Sequence, residues 1–165
     1  MHSLFVWLEM SAFSVWVRES TSVFAFPTIL AFHTIGMGLV AGLNAAMDLR
    51  ILGVAAQVPL SELKRFFPFV WIGFWLNAAS GVVLLIGYPT KALTNPVFYT
   101  KLAFIALGLV VFRAIRLRLF RDPTLDNSPV PRNARLLAAA SLVCWAGAIG
   151  TGRFLAYTYV HLMSA

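Results

Sequence analysis

The sequence predicts an all-α integral membrane protein, built as a four-transmembrane-helix bundle with an N-terminal interfacial amphipathic helix. Of the 165 residues, 60% are hydrophobic and 12% are charged, whereas soluble domains average about 45–50% apolar and about 25% charged residues. The apolar residues form four runs of the length that a helix needs to cross about 30 Å of hydrocarbon, about 20 residues. Charged clusters separate these runs. We therefore expect a single membrane domain over residues 1–165.

The N-terminal stretch, residues 3–18, is too short and too often interrupted by polar residues to span a membrane. It contains Trp7 and Trp16 among apolar residues, but Glu9 breaks the run and Arg18 closes it. Such a stretch is typical of a helix that lies in the interface, with its aromatic side chains at headgroup depth. The alternative is that these residues form the first part of a long, tilted first span.

The four apolar runs predict membrane spans at residues 23–47, 66–87, 96–115 and 134–159. Asp48 and Arg50 close the first span. We expect Asp48 to pair with Arg50 or with an arginine of the 113–135 loop, which is a structural role. Because no carboxylate lies within a predicted span, the sequence disfavours proton pumping.

Small residues recur at helical spacing in two of the predicted spans. Gly38 and Gly42 have GxxxG spacing in span one, and Ala46 extends the series. Span four carries Cys144 and Gly152 in a similar stripe. Small residues allow helix backbones to approach closely, so both stripes predict tight packing in a bundle or an oligomer.

Basic residues predict the orientation of the bundle. Nine of the 13 lysine and arginine residues lie on one side of the predicted spans: Arg50, Lys64, Arg65, Arg113, Arg116, Arg118, Arg121, Arg132 and Arg135. The positive-inside rule therefore predicts a bacterial inner-membrane protein with both termini periplasmic and the 113–135 loop cytoplasmic. The net charge of +7 then reflects topology and lipid contact, not binding to nucleic acid.

Five polar residues are the candidate site, because they fall in the outer half of the predicted bundle. His33 lies about 22 Å from the cytoplasmic end of span one at 1.5 Å per residue, and Asn77 falls at a similar depth. Arg153 lies slightly further out in span four, with Tyr157 one turn beyond it, and Lys101 lies near the outer mouth of span three. Polar groups at such depth face the bundle interior and need a partner or a task.

His33 is compatible with several ligands. Haem b would use its imidazole as an axial ligand, with Arg153, Lys101 and Tyr157 near the propionates. Neither His2 nor His161 matches its depth as a second axial ligand. Copper would use His33 with Met37 one turn away, and a quinone would sit among His33, Asn77 and Arg153. In a cofactor-free protein, His33 would bond to a helix carbonyl or to Asn77.

Four motifs carry a resemblance to known proteins: "LAFHTIG" at His33, "FWLNAASG" at Asn77, "NPVFYTK" before span three and "GRFLAYTY" at Arg153. With them the chain resembles an uncharacterised family of small bacterial four-helix inner-membrane proteins. It is more distantly similar in pattern to the membrane bundle of copper-resistance D-type proteins. The resemblance implies a membrane fold and a set of recurring positions, and the distant similarity suggests redox or copper chemistry in the periplasm.

These observations together favour a small subunit of a membrane redox assembly over a stand-alone enzyme. It would pass electrons between the membrane and a periplasmic partner, through haem b or quinone near His33. The first alternative is a cofactor-free accessory subunit that packs against a larger membrane complex or a second copy of itself. Copper handling is a weaker alternative, because the spans contain few polar residues to line a path.

Overall fold

The structure, a computed structural model, describes residues 7–122 and 125–162, and this part of the chain contains helices and no β-strand. The helices are α1 (Ala12–Glu19), α2 (Phe26–Leu52), α3 (Phe67–Gly87), α4 (Pro89–Leu93), α5 (Pro96–Arg118) and α6 (Arg132–Leu162), with a 3₁₀ helix at Leu60–Phe66. Four segments are long and apolar enough to cross a membrane. The predicted all-α four-helix membrane fold is confirmed.

Helix α1 is a separate helix that packs on the end of α3. The Ser14 hydroxyl donates to the Gly87 carbonyl at 3.3 Å, and Val17 fills the space that a side chain at Gly87 would need. Residues 20–25 are not helical, so this stretch is not the first part of span one. Residues 3–6 of the predicted interfacial helix lie outside the described residues.

The ends of the long helices follow from capping residues. Helix α2 runs five residues beyond the predicted end at Met47, because Gly53, and not Asp48, terminates it. Gly53 has a φ of 108°, the left-handed conformation that favours glycine after a helix, and its N–H donates to the Arg50 carbonyl at 3.1 Å. Helix α5 begins at Pro96, where the Asn95 side chain accepts from the Val97 N–H at 2.9 Å.

The four long helices form two antiparallel hairpins, α2 with α3 and α5 with α6, which meet mainly where α2 packs on α6. We call the end with residues 53–66 and 119–131 the basic end, and the opposite end the histidine end. Most of the buried apolar side chains lie in the half nearer the basic end. Large apolar side chains are exposed along the outside of all four helices, as contact with a lipid bilayer requires.

The close helix contacts are not where the GxxxG spacing predicts them. A side-chain carbon at Gly38 or Gly42 would meet no atom of the chain within 4 Å. Instead, a side-chain carbon at Gly36 would lie 2.6 Å from the backbone nitrogen of Asn77 in α3. The other stripe does pack inside the bundle, since Cys144 and the neighbouring Ala148 are buried on α6.

Candidate functional site

A polar cluster near the histidine end joins three helices around His33. His33 is half-buried on α2, and its imidazole contacts α3 on one side and α5 on the other. The helix positions the ring, because α2 is regular here and His33 precedes the Gly36 contact by one turn. His33 therefore points toward two other helices of the bundle.

Two glycines bring α2 and α3 close enough for backbone-directed hydrogen bonds. Gly36 lies against Asn77 and the Gly73 carbonyl, and a side-chain carbon at Gly73 would lie 3.1 Å from the Gly36 carbonyl. At this short separation, the Asn77 amide donates to the His33 carbonyl at 2.7 Å. The Asn77 side chain therefore bridges two helix backbones, the interhelical role that asparagine often has in membranes.

The inner ring nitrogen of His33, Nδ1, is bound by α3. It lies 3.0 Å from the backbone carbonyl oxygen of Asn77 and 3.2 Å from the Ser80 hydroxyl. The Ser80 hydroxyl is itself a donor to the Leu76 carbonyl at 2.7 Å, so these two neighbours of Nδ1 act as acceptors. The Asn77 side-chain nitrogen is a third neighbour at 3.4 Å, but its closer acceptor is the His33 carbonyl at 2.7 Å. The neutral tautomer with the proton on Nδ1 satisfies this arrangement. It leaves the lone pair on Nε2.

The outer ring nitrogen of His33 meets Lys101 of α5. The Lys101 amino group lies 3.2 Å from Nε2 and can donate to it. A glycine of α3 makes room for this pair, because a side-chain carbon at Gly81 would lie only 3.2 Å from the imidazole. A carbon at Gly152 of α6 would lie 3.7 Å from the Lys101 side chain, which is an ordinary contact.

The pair offers a proton acceptor and a hydrogen-bond donor side by side. His33 Nε2 is a neutral imidazole lone pair, and the Lys101 amino group has further hydrogens beyond the one directed at His33. Both side chains are half-buried, so a ligand at the histidine end can reach them. A metal ion at Nε2 would need the lone pair that Lys101 faces, so Lys101 would have to move first.

The structure brings together three of the predicted site residues, His33, Asn77 and Lys101. Arg153 and Tyr157 lie exposed on α6, and no described contact joins either to His33. Met37 packs against the apolar core. Among the described residues there is no group of three or more His, Cys, Asp or Glu residues placed to hold a metal ion. His2 and the side chain of His161 lie outside the described residues.

Sequence reasoning missed Ser80, which completes the hydrogen bonds of the imidazole. Its spacing could have revealed it, because Ser80 follows Asn77 by three residues and therefore shares its face of α3. The glycine at position 81 gave no such signal. A glycine beside a histidine on a neighbouring helix becomes meaningful only when the register of the two helices is known.

A second polar cluster lies deeper in the bundle, and it corrects the prediction for Asp48. Asp48 lies inside α2, is only 2% exposed and has Ser141 of α6 beside its carboxyl group. The expected pairing with Arg50 is wrong, since Arg50 donates to the Val58 and Ala56 carbonyls instead. The statement that no carboxylate lies within a span is also wrong, because α2 continues past Asp48.

This second cluster contains polar atoms without partners. Within the described residues, Asp48 Oδ2, Ser141 Oγ and Trp145 Nε1 are buried and make no hydrogen bond. Asn44, one turn before Asp48, donates to the Val40 carbonyl at 2.8 Å. Unsatisfied buried polar atoms are costly and rare, so this cluster needs a physical explanation of its own.

Comparison of the chain with protein-family models, with curated proteins and with solved structures gives no match. The resemblance to small bacterial four-helix membrane proteins therefore stays a prediction. The argument for function rests on the geometry of the His33 cluster and on the charge pattern of the helices.

Proposed function

We propose that this multi-pass membrane protein is a small subunit of a redox assembly and that the His33–Lys101 pair binds the head group of a quinone. The observation that carries the proposal is the 3.2 Å contact between Lys101 Nζ and His33 Nε2. A quinone carbonyl needs a donor, which Lys101 supplies, and a quinol hydroxyl needs an acceptor, which His33 Nε2 supplies.

The same contact favours a quinone over the other ligands considered for His33. Haem b and copper both require a free ring nitrogen as a metal ligand, but Nδ1 is bound by α3 and the Lys101 amino group is directed at Nε2. A quinone carbonyl instead uses the pair as it stands, because it accepts a further hydrogen of Lys101. Only a quinol hydroxyl needs Lys101 to turn away from Nε2 before it can donate there. Asn77 and Ser80 orient the ring from the other side, as a site that must hold one tautomer requires.

In this proposal the protein itself moves protons, not electrons. When a bound quinol is oxidised, its electrons pass to an electron carrier in a neighbouring membrane or periplasmic subunit. The two hydroxyl protons pass in turn to His33 Nε2 and leave one after the other at the histidine end, which the positive-inside rule assigns to the periplasm of a bacterial inner membrane. Arg153 and Tyr157, exposed on α6, are then free to contact lipid or that partner.

The alternative is a cofactor-free accessory subunit. One observation favours it: both ring nitrogens of His33 have partners within the chain, as they would in a purely structural hydrogen-bond network. In that case the cluster would only fix α2, α3 and α5 relative to one another. The protein would contribute its apolar faces to a larger complex.

The two proposals differ in what co-purifies with the protein. We would purify the native protein and three variants, His33→Ala, Lys101→Met and Thr100→Val, in a mild detergent and measure the quinone in lipid extracts by chromatography. Thr100 is the matched control, since it is exposed beside Lys101 and its hydroxyl donates to the Pro96 carbonyl of its own helix. Loss of a charge-assisted hydrogen bond lowers affinity about tenfold or more.

We expect quinone in stoichiometric amounts with the native protein and with Thr100→Val, and a strong loss in the other two variants. Quinone at the background level of the membrane in all four samples would reject the proposal and leave the accessory subunit. A reduced-minus-oxidised absorption spectrum of the same samples tests haem. A b-type signal that disappears in His33→Ala would assign His33 to iron instead.

A further inference from the structure

A cleft at the basic end of the bundle is separate from the His33 cluster. Side chains of α3, of α5 and of the segments next to them surround a volume of about 470 Å³ there, within the range of about 300–1,000 Å³ typical of small-molecule sites. Aromatic residues form one wall of the cleft, and basic residues lie at its edge. The lining side chains are Lys64, Phe67, Trp71, Phe112, Arg113, Arg116, Leu117, Phe120 and Arg121.

The aromatic wall is closely packed and contacts one arginine. The Phe67 ring packs edge-on against Phe112 at 5.6 Å and against Phe120 at 5.1 Å between centroids. The Arg116 guanidinium lies 5.3 Å from the centre of the Phe67 ring, in cation–π geometry. The cleft therefore has a packed aromatic wall with a positive group at its edge.

Arg113 and Arg116 take part in none of the ion pairs found within the described residues. The ion pairs found there join Arg18 to Glu19 and Arg65 to Glu62, and neither belongs to the cleft. Asp126 is the acid whose charge acts on Lys64, and it is already engaged, since it accepts from the Ser61 N–H at 3.1 Å. Hydrogen bonds from Ser61 lower the pKa of Asp126, so at neutral pH this carboxylate stays ionised and remains with Ser61.

A packed aromatic wall beside guanidinium groups that take part in no described ion pair fits an amphiphilic anion. Guanidinium groups bind phosphate oxygens in a bidentate manner, and the lipid-exposed Trp71 extends the apolar wall toward the membrane. Basic pockets between transmembrane helices on the cytoplasmic side are typical sites for anionic lipid head groups. The positive-inside rule places this cleft on that side.

We propose that the cleft between α3 and α5 binds the phosphate of an anionic phospholipid, with Arg113 and Arg116 as its main ligands and the acyl chains along Trp71. The site is independent of the quinone proposal, because it lies at the opposite end of the bundle and shares no residue with the His33 cluster. Its occupant would bridge α3 and α5 at the basic end.

The test compares two double variants that remove the same charge at the same end of the bundle. Arg113→Gln with Arg116→Gln removes the cleft ligands. Arg132→Gln with Arg135→Gln is the matched control, because both residues are exposed at the start of α6, outside the cleft. Each delipidated protein in detergent is titrated with phosphatidylglycerol, with phosphatidylcholine and with inorganic phosphate, and bound lipid is counted by native mass spectrometry. Thermal unfolding confirms that both variants are folded.

We expect the native protein and the control to bind phosphatidylglycerol about tenfold more tightly than phosphatidylcholine, and the cleft variant to lose that preference. If both double variants lost the preference for phosphatidylglycerol equally, the preference would come from the overall positive charge of this end, and the proposed site would be overturned. Displacement of phosphatidylglycerol by inorganic phosphate alone would overturn the lipid assignment. If the cleft variant does not fold, Arg113→Lys with Arg116→Lys keeps the charge, and native affinity in that variant would contradict bidentate binding.

Discussion

The environment of the Asp48 side chain depends on where α2 ends, because a few more residues of helix place Asp48 inside the helix and not at its end. The carboxyl group lies inside α2, beside Ser141, and its Oδ2 has no hydrogen-bond donor among the described residues. Arginines are plentiful at the nearby basic end, but Arg50 points away to loop carbonyls. Asp48 has no cationic partner among the residues that the structure describes, and such a carboxyl group is costly in a membrane protein interior.

We predict that Asp48→Asn raises the free energy of unfolding by about 1–3 kcal/mol. The amide has the same shape, costs less to bury and can donate to the unpartnered Ser141 hydroxyl. Unfolding in mixed micelles with increasing denaturing detergent measures the change. The control is Glu62→Gln, an exposed residue whose 3.4 Å ion pair with Arg65 contributes little. A less stable Asp48→Asn would show that the carboxylate has a ligand, such as a cation, that the amide cannot hold.

At the scale of helices, close packing depends on which glycines face a neighbour. Gly36 and Gly73 let the backbones of α2 and α3 touch, and this contact places Asn77 within reach of His33. Gly38 and Gly42 lie on the other side of α2, where a side chain would meet nothing. The GxxxG spacing therefore identified a helix rich in glycine but not the contact that it makes.

We predict that Gly36→Ala destabilises the protein by about 1–3 kcal/mol, while Gly38→Ala changes the stability by less than about 0.5 kcal/mol. The added methyl group at Gly36 would collide with the α3 backbone, which cannot move aside as a flexible side chain would. The same unfolding assay compares the two variants. A large loss of stability in Gly38→Ala would show that the surface of α2 at Gly38 is not free, and would indicate that a second copy or another subunit packs there.

The helices themselves were predictable, because hydropathy depends only on the order of residues. The second span was predicted at 66–87 and is found at Phe67–Gly87, and the third begins at Pro96 as expected. Contacts between helices depend on register and rotation, which one sequence does not contain. Depth along a helix can be counted from the sequence, and His33 and Asn77, predicted at a similar depth, do lie in contact. The same count placed Arg153 in this layer and Lys101 nearer the outer mouth, but Lys101 is the residue that contacts His33.

At the scale of the whole molecule, the two hairpins form a bundle with different chemistry at its two ends. The histidine end carries the hydrogen-bonded His33–Lys101 pair, and the basic end carries the arginine-lined cleft. Between them lie the apolar core and the buried Asp48 cluster. Both proposals assign a side of the membrane to each end, so the orientation of the bundle bears on quinone chemistry and lipid binding together.

We predict that the basic end faces the cytoplasm when the protein is in a bacterial inner membrane. Cysteine substitutions at Thr21, before α2, and at Asn127, in the loop before α6, are both exposed. A membrane-impermeant maleimide should label Thr21→Cys in intact cells and Asn127→Cys only after permeabilisation. The native Cys144 provides the background control, because it is buried between helices. If only Asn127→Cys were labelled in intact cells, the bundle would have the opposite orientation in the membrane. The protons of the proposed quinol reaction would then leave toward the cytoplasm.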